Sequence, residues 1–497
     1  MAVFDVLREP WIPALRMNGS PVSLGILDLL EQAHELKALG SESLLENYSI
    51  FRLLAAFLMD AYTPEYIDDR RQILESGHFD PVVLQRYVEQ CVAEGDSFNL
   101  FDEKRPFMQA RYDEKYDKKT VPVAVLVHAL PAGNNHIHFD HRLSSEHCLT
   151  AAEALRALCA AYVFCTSGLA GPSSVNNTPC IYVVYEGQTL FESLIVSMIS
   201  KDECESKNIP WSEPPVSWRN DDEVIPKSLC PTVSLMAAFT WLPRRVTFVP
   251  VKIDGALCVK EVYCQAGLNF QGDGRWYDPH VPYRKNKKEE WYSVKPQSGR
   301  ELWRDVGAVT AADPSSSSTR QPLILANYKE LTESRTSRLL KVQLIGLVTN
   351  QAQYLSTQSD SLALPSSFLG EAALGRLLRS DLQDIETMAF YIFSSYGKIL
   401  DAEIATELQT QFYAVMYEKL FSEYFPYVAK IDRNQDNWGG LAGEYLDNIL
   451  KKMRDLVMHQ GAQRFASNAR ALRDMSAAET SFVRNCGSLL KKRRENK

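Results

Sequence analysis

The sequence lacks the features that would send it to a membrane or out of the cell. No run of about 18 uncharged apolar residues occurs anywhere, and the opening "MAVFDVLREPWIP" has no basic stretch followed by an apolar one, so the expectation is a cytoplasmic protein without a membrane span. Positive charge is also in short supply: 54 Lys and Arg face 62 Asp and Glu, for a net charge of -8. That balance argues against a free-standing nucleic-acid binder working by bulk electrostatics, while leaving room for local basic surfaces. The ten cysteines contain no C-x-x-C pair, and several sit in apolar helical context such as "ALRALCAAYVFC", which reads as reduced, mostly buried thiols with neither a disulfide nor a metal role.

The common catalytic signatures are missing as well. There is no G-x-x-x-x-G-K-[ST] phosphate loop, no G-x-S-x-G elbow and no G-x-G-x-x-G after a strand. One apparent exception is "GNNHIHFDH", residues 133–141, in which His136, His138, Asp140 and His141 spell H-x-H-x-D-H, a pattern of metal-dependent hydrolases. Such a site needs its first ligands close behind a buried strand and further ligands later in the chain. Here "VAVLV" is separated from the histidines by the polar "HALPAGNN". After His147 only His280 and His459 remain, and His459 lies in a helical C-terminal region, so His280 alone could complete the site. A two-metal centre would be short of imidazoles, and hydrolysis is the alternative reading.

What is present is a chain too long for one core. Residues 1–365 mix β-branched runs, "PVAVLVHAL" (122–130), "PCIYVVYEG" (179–187) and "VTFVPVKI" (246–253), with helical stretches such as "ENYSIFRLLAAFLMDAY" (46–62) and "TAAEALRALCAAYVF" (150–164), without regular β-α alternation. The Ser-rich "DPSSSSTR" (313–320) reads as a loop, and "LALPSS" (362–367) as a boundary. Beyond it, strand signals vanish. Apolar stripes at helical spacing follow: Leu374, Leu378, Leu382, Ile385 and Ala389; then Ile404, Leu408, Phe412, Val415 and Met416; then Leu446, Ile449, Leu450, Met453 and Val457. Pro426 and Gly439-Gly440 punctuate them, and the closing "KKRRENK" reads as a frayed basic tail. The expected fold is α+β over 1–365 followed by an all-α four-helix bundle over 366–497.

Two further stretches attract attention as residues alone. "SGLAGPSS" (167–174) is a small-residue loop after a helix, where backbone could approach a ligand closely because no side chains intervene. "RWYDPHVPYRKNKKEEWYSVK" (275–295) interleaves Arg284, Lys285, Lys287 and Lys288 with Trp276, Tyr283 and Trp291, as a surface tracking a phosphate backbone requires. Arg244-Arg245 and Lys491 to Arg494 are further phosphate-contact candidates.

"FDVLREPWIPALRMNGSPVSLGILDLL" (4–30), "RPFMQ" (105–109), "TPCIYVVYEGQTLFESLIVSM" (178–198), "WYDPHVPYR" (276–284) and "GLVTNQAQYL" (346–355) together resemble the large-subunit family of the type I-E CRISPR surveillance complex Cascade, known as CasA. The resemblance spans essentially the whole chain. It implies a protein that is not an enzyme and needs no cofactor or metal. Such a subunit serves antiviral defence in a crRNA-guided complex: it recognises the protospacer-adjacent motif (PAM) of foreign double-stranded DNA through the minor groove, starts unwinding for R-loop formation, and helps recruit the helicase-nuclease, while its helical bundle meets the small subunits.

The resemblance also distributes roles. Gly168, Leu169, Ala170 and Gly171 match the family's glycine loop, where a Cβ would collide with the narrow groove. Asn350 and Gln351 match the glutamine wedge that parts the first base pairs. Asn134, Asn135 and Phe139 fall in a loop near guide and PAM, where an aromatic can stack on a base. The family's PAM-contacting lysine would fall in "CQAGLNFQG" (264–272), which has none, so Asn269, or else Gln265, is the candidate there. The upstream cysteine cluster of some relatives is also missing, Cys258 and Cys264 having the wrong spacing for zinc.

Overall fold

The computed structural model describes residues 2–130, 147–166, 175–176, 180–271, 276–310, 319–332, 339–350, 353–369, 372–396, 423–433, 438–464 and 469–495. The chain divides into two compact units: one comprises Met1–Leu302, Ser317–Arg335 and Lys341–Ser361, the other Trp303–Ser316, Thr336–Leu340 and Leu362–Lys497. Two short stretches from before residue 365, Trp303–Ser316 and Thr336–Leu340, group with the second unit.

In the first unit the apolar run at 46–62 becomes the helix Leu44–Tyr62, started by the Ser43 side chain accepting from the Glu46 N–H. Buried residues occupy nearly its whole circumference, which is why the sequence shows an apolar run instead of a stripe. Packed against it is the helix Ala151–Val163, whose start carries a reciprocal Thr150/Glu153 capping box.

The run "VTFVPVKI" forms the strand Arg244–Ile253, which turns through Asp254 (φ 49°) and Gly255 (φ 84°) into Ala256–Ala266. Two successive left-handed residues suit a hairpin, and Asp-Gly is the pair that adopts them at least cost. Pro250 has no N–H to give the ladder, and the register slips between Val249 and Pro250. Two short strands, Thr120–Pro122 and Leu149–Thr150, also pair with Ala256–Ala266. "PVAVLVHAL" departs from expectation here: the strand stops at Pro122 and Val123–Leu126 is a 3-10 turn with Val123, Ala124 and Leu126 buried, so the apolar run marks burial, not extended pairing.

A second sheet orders Gln353–Pro365, Leu339–Asn350 and Tyr182–Glu186, and a third orders Trp291–Ser293, Tyr283–Lys285 and Thr319–Arg320. Leu229–Cys230 and Asn269–Phe270 form a small parallel pair.

In the second unit the helices Ala372–Tyr396, Trp438–Arg464 and Ala469–Glu495 pack pairwise, with a further helical segment at 423–433. Leu374, Leu378, Leu382, Ile385 and Ala389 are all buried, as are Leu446, Ile449 and Met453. Buried Asp381 accepts from the Tyr427 hydroxyl at 2.6 Å, and Tyr427 stacks on Tyr445 with centroids 4.1 Å apart. The stripe from Ile404 to Met416 lies outside the described residues. The basic tail differs from expectation: the last helix runs through Lys491 to Arg494 and ends at Glu495.

Candidate nucleic-acid interface

The small-residue stretch 167–174, with Gly168, Leu169, Ala170 and Gly171, lies outside the described residues, but its two shoulders are described and both are tied down. On the entry side, helix Ala151–Val163 ends at Phe164, whose carbonyl lies 3.0 Å from His128 Nε2, and the Thr166 carbonyl accepts from Arg244 Nη2 at 2.8 Å. Burial pushes the His128 imidazole down, its contact with that carbonyl working in the opposite sense. On the exit side, Asn176 donates from Nδ2 to Asp278 Oδ2 at 3.0 Å and accepts from the Trp276 indole N–H at 3.1 Å.

Asp278 belongs to a buried polar chain. Arg52 donates to both its carboxylate oxygens, at 2.7 and 3.2 Å, with side-chain exposures of 3% and 0% for the two residues, and the guanidinium lies 3.9 Å over the Phe239 ring. Burial alone would raise the Asp278 carboxyl; the neighbouring Arg52 outweighs it and holds the group below the usual carboxylate range. Arg52 also reaches the Tyr48 hydroxyl at 3.4 Å, which lies 3.0 Å from His280 Nδ1, while His280 Nε2 lies 3.1 Å from the Ser197 carbonyl. Because that carbonyl can only accept, the network assigns the ring proton to Nε2 and leaves Nδ1 to accept from Tyr48. Burial pushes the His280 imidazole down to about 4.

These bonds remove the ligand that a hydrolase would need. His280 spends both ring nitrogens on protein partners in a fully buried position, so it cannot complete a metal site with His136, His138, Asp140 and His141, which lie outside the described residues together with Asn134, Asn135 and Phe139. Among the described residues no group of three His, Cys, Asp or Glu side chains could hold a metal ion. All ten cysteines are free thiols and seven are buried.

Asn269 stands on the Asn269–Phe270 strand beside Leu229, its N–H bonded to Ser228 O at 2.9 Å. Its side-chain oxygen is enclosed without a hydrogen-bond partner among the described residues. Gln265, the other candidate, donates to Asp117 at 3.2 Å and is thereby committed. Arg244 connects this segment with the small-residue stretch: it pairs with Ala266 in the hairpin and reaches Thr166 with its side chain. Arg245 is withdrawn from any phosphate. At 1% exposure it is paired with Asp117 at 2.9 Å and bonds the carbonyls of Val224 and Arg111.

Arg284 and Lys285 lie on the strand Tyr283–Lys285, and Lys287 and Lys288 are exposed on the turn leading to Trp291–Ser293. The turn is built by Asn286, whose Oδ1 accepts from the Lys288 and Glu290 N–H groups. Lys285 sits 5.2 Å over the Trp291 ring and pairs with Glu289 at 2.9 Å, so part of the positive charge is neutralised locally and Lys287 and Lys288 carry the outward field. The same ring also holds Arg320, whose guanidinium carbon lies 3.9 Å from the Trp291 centroid. Trp276 and Tyr283 are buried and serve the frame, not a ligand-facing surface. Asn350 is exposed at the end of Leu339–Asn350, the neighbouring strand begins at Gln353, and Gln351 lies outside the described residues.

Sequence reasoning missed the Arg52, Asp278, Asn176 and His280 network. The signal was available: a single arginine inside "IFRLLAAFL" must be buried with the rest of that run, and a buried guanidinium requires a carboxylate.

The family model described as CRISPR-associated protein Cse1 matches residues 5–460. The CRISPR-associated protein CasA/Cse1 of Thermus thermophilus is 26% identical over 384 residues, covering 74% of this chain and 72% of that protein. The Cse1 crystal structure from Acidimicrobium ferrooxidans superposes with a TM-score of 0.77 at 19% identity, covering 100% of this chain and 99% of that one. A chain of a structure described as a CRISPR RNA-guided surveillance complex gives a TM-score of 0.75 at 18% identity, with 97% and 100% covered. The chain therefore belongs to the CRISPR-associated Cse1 family, the CasA subunits of type I-E Cascade.

Proposed function

We propose that this chain is the non-catalytic DNA-recognition subunit of its surveillance complex, reading the PAM of double-stranded DNA through the minor groove, starting strand separation for the R-loop and offering a surface to the helicase-nuclease. The observation that carries the reading is the anchoring of the small-residue stretch: Thr166 by Arg244 on one shoulder, Asn176 by Asp278 on the other. A glycine-rich backbone that enters a groove needs fixed ends, since a loose loop would lose its ordering entropy on binding. Asn269, half-buried and three residues beyond Ala266, the hairpin partner of Arg244, takes the place of the missing lysine as the polar residue beside the groove. Lys287 and Lys288, with Arg284 and Lys285 behind them, track the phosphates.

The crRNA-bearing subunits and the small subunits are the partners, the latter through the second unit, read as a four-helix bundle on the support of its three long helices and the segment 423–433. The first unit is the PAM-reading domain. No described helix is long and apolar enough to cross a membrane.

The test is target binding by the assembled complex with wild-type chain and with Gln351→Ala. The variant is expected to lose binding to a fully paired target and to recover it on a target pre-melted beside the PAM, because unstacking costs about a few kcal/mol per step and the wedge supplies it. Equal opening of paired target by both proteins would remove the wedge assignment.

A further inference from the structure

The strand Ala256–Ala266 pairs along its whole length with Arg244–Ile253, which occupies one edge. The two short strands therefore share the other edge, end to end: Thr120–Pro122 runs against Tyr263 to Glu261, and Leu149–Thr150 runs against Val259 and Cys258. Only Lys260 separates them, and it is the extra residue of a bulge, since Val249 faces Glu261 while Pro250 faces Val259. The chain thus leaves this strand at Pro122 and returns to it at Leu149, so that the segment 123–148 has its two ends at one place.

Cys148 is the last residue of that segment. Thr150 lies directly opposite Cys258, and Cys148 immediately precedes the strand Leu149–Thr150, a diagonal neighbour of Cys258 in sequence register. The two thiols are near enough to act on one another electrostatically. Cys148 is half-buried and Cys258 buried.

We propose that Cys148 and Cys258 form a dithiol that oxidises reversibly to a disulfide, tying the chain just before Leu149–Thr150 to the strand Ala256–Ala266. With hydrogen peroxide as oxidant, the Cys148 thiolate attacks one peroxide oxygen, the O–O bond breaks, and a sulfenic acid and hydroxide result. The Cys258 thiolate then attacks the Cys148 sulfur, the S–S bond forms, the S–O bond breaks, and a second hydroxide leaves. Both hydroxides take up the protons that the thiols released, so two thiols lose two electrons and peroxide becomes two waters. A small-molecule thiol reverses the step through a mixed disulfide, being oxidised in turn. Burial pushes the Cys258 thiol up, which leaves the more accessible Cys148 to react first and Cys258 to resolve. This device is independent of the nucleic-acid reading and stands or falls by its own chemistry.

The test treats the purified full chain with hydrogen peroxide, blocks residual thiols with N-ethylmaleimide, and maps an unreduced proteolytic digest by mass spectrometry. The expected product is a Cys148–Cys258 linked peptide pair, lighter than the two free peptides by two hydrogens, abolished by dithiothreitol and absent from Cys148→Ser and Cys258→Ser. In Cys258→Ser, Cys148 should stop at the sulfenic acid and be tagged by dimedone. Both serine variants should keep the wild-type far-UV circular dichroism. The proposal is overturned if wild-type Cys148 proceeds to sulfinic acid without the link, if both thiols remain open to N-ethylmaleimide, or if either cysteine pairs elsewhere.

Discussion

Asp278 and Arg52 form a pair in which each partner is tolerable only because of the other. Replacing Asp278 by Asn keeps the shape and removes the charge, leaving a guanidinium at 3% exposure with nothing to neutralise it. The expected loss is about 3 to 5 kcal/mol, read as a lower urea midpoint with an unchanged slope. An unaltered midpoint would mean that water reaches Arg52. His280 gives a second test at the same scale. Its imidazole is held down at about 4, against about 6.5 in an unfolded chain, so the unfolded state binds the proton first as pH falls. The corresponding stability is present above pH 6.5 or so and is lost on the way down to about 4, by roughly 3 kcal/mol in all. His280→Gln should flatten that part of the stability-against-pH curve; an equally steep curve in the variant would assign the loss to other groups.

The hairpin of Arg244–Ile253 and Ala256–Ala266 shows how much an element reveals in advance. Its β-branched run and Asp-Gly turn were legible because both act locally, through strand sterics and left-handed φ angles. The same holds for the helical stripe Leu374 to Ala389, whose burial follows its spacing. "VAVLV" was misread because an apolar run records burial, whatever backbone lies beneath it. Arg245 was misread for the opposite reason: an arginine pair looks like surface until Asp117, far away in sequence, turns out to be its partner. The arrangement of the candidate interface was illegible for the same cause, since Asn176 meets Asp278, and Arg244 meets Thr166, only through tertiary folding. Gly267 is the element's own stringent position. A Cβ there would lie 2.4 Å from Leu242 O and 2.7 Å from the Arg244 carbonyl carbon. Gly267→Ala should cost about 1 to 3 kcal/mol, visible as a lowered Tm, and, on the proposed function, should weaken PAM discrimination by shifting Leu268 and Asn269. A variant with wild-type Tm would show that the backbone gives way there at little cost.

For the whole molecule the charge balance sets the terms on which the proposed DNA binding would operate. A net charge of -8 gives the chain no general attraction to a polyanion, so whatever it gains must come from local patches such as Lys287 and Lys288. Replacing both by Ala should reduce the slope of log affinity against log salt by about 2 and weaken all duplexes alike, leaving the preference for the PAM in place. A changed preference with an unchanged slope would place these lysines at the bases.

The Arg52 and Asp278 pair has one more consequence, for the birth of the protein on the ribosome. The two residues are 226 positions apart. At synthesis rates of about 5 to 20 residues per second, the helix Leu44–Tyr62 emerges roughly 10 to 45 seconds before its counter-ion exists. Throughout that interval Arg52 must stay hydrated, so the helix cannot take up its buried place until Asp278 has been made.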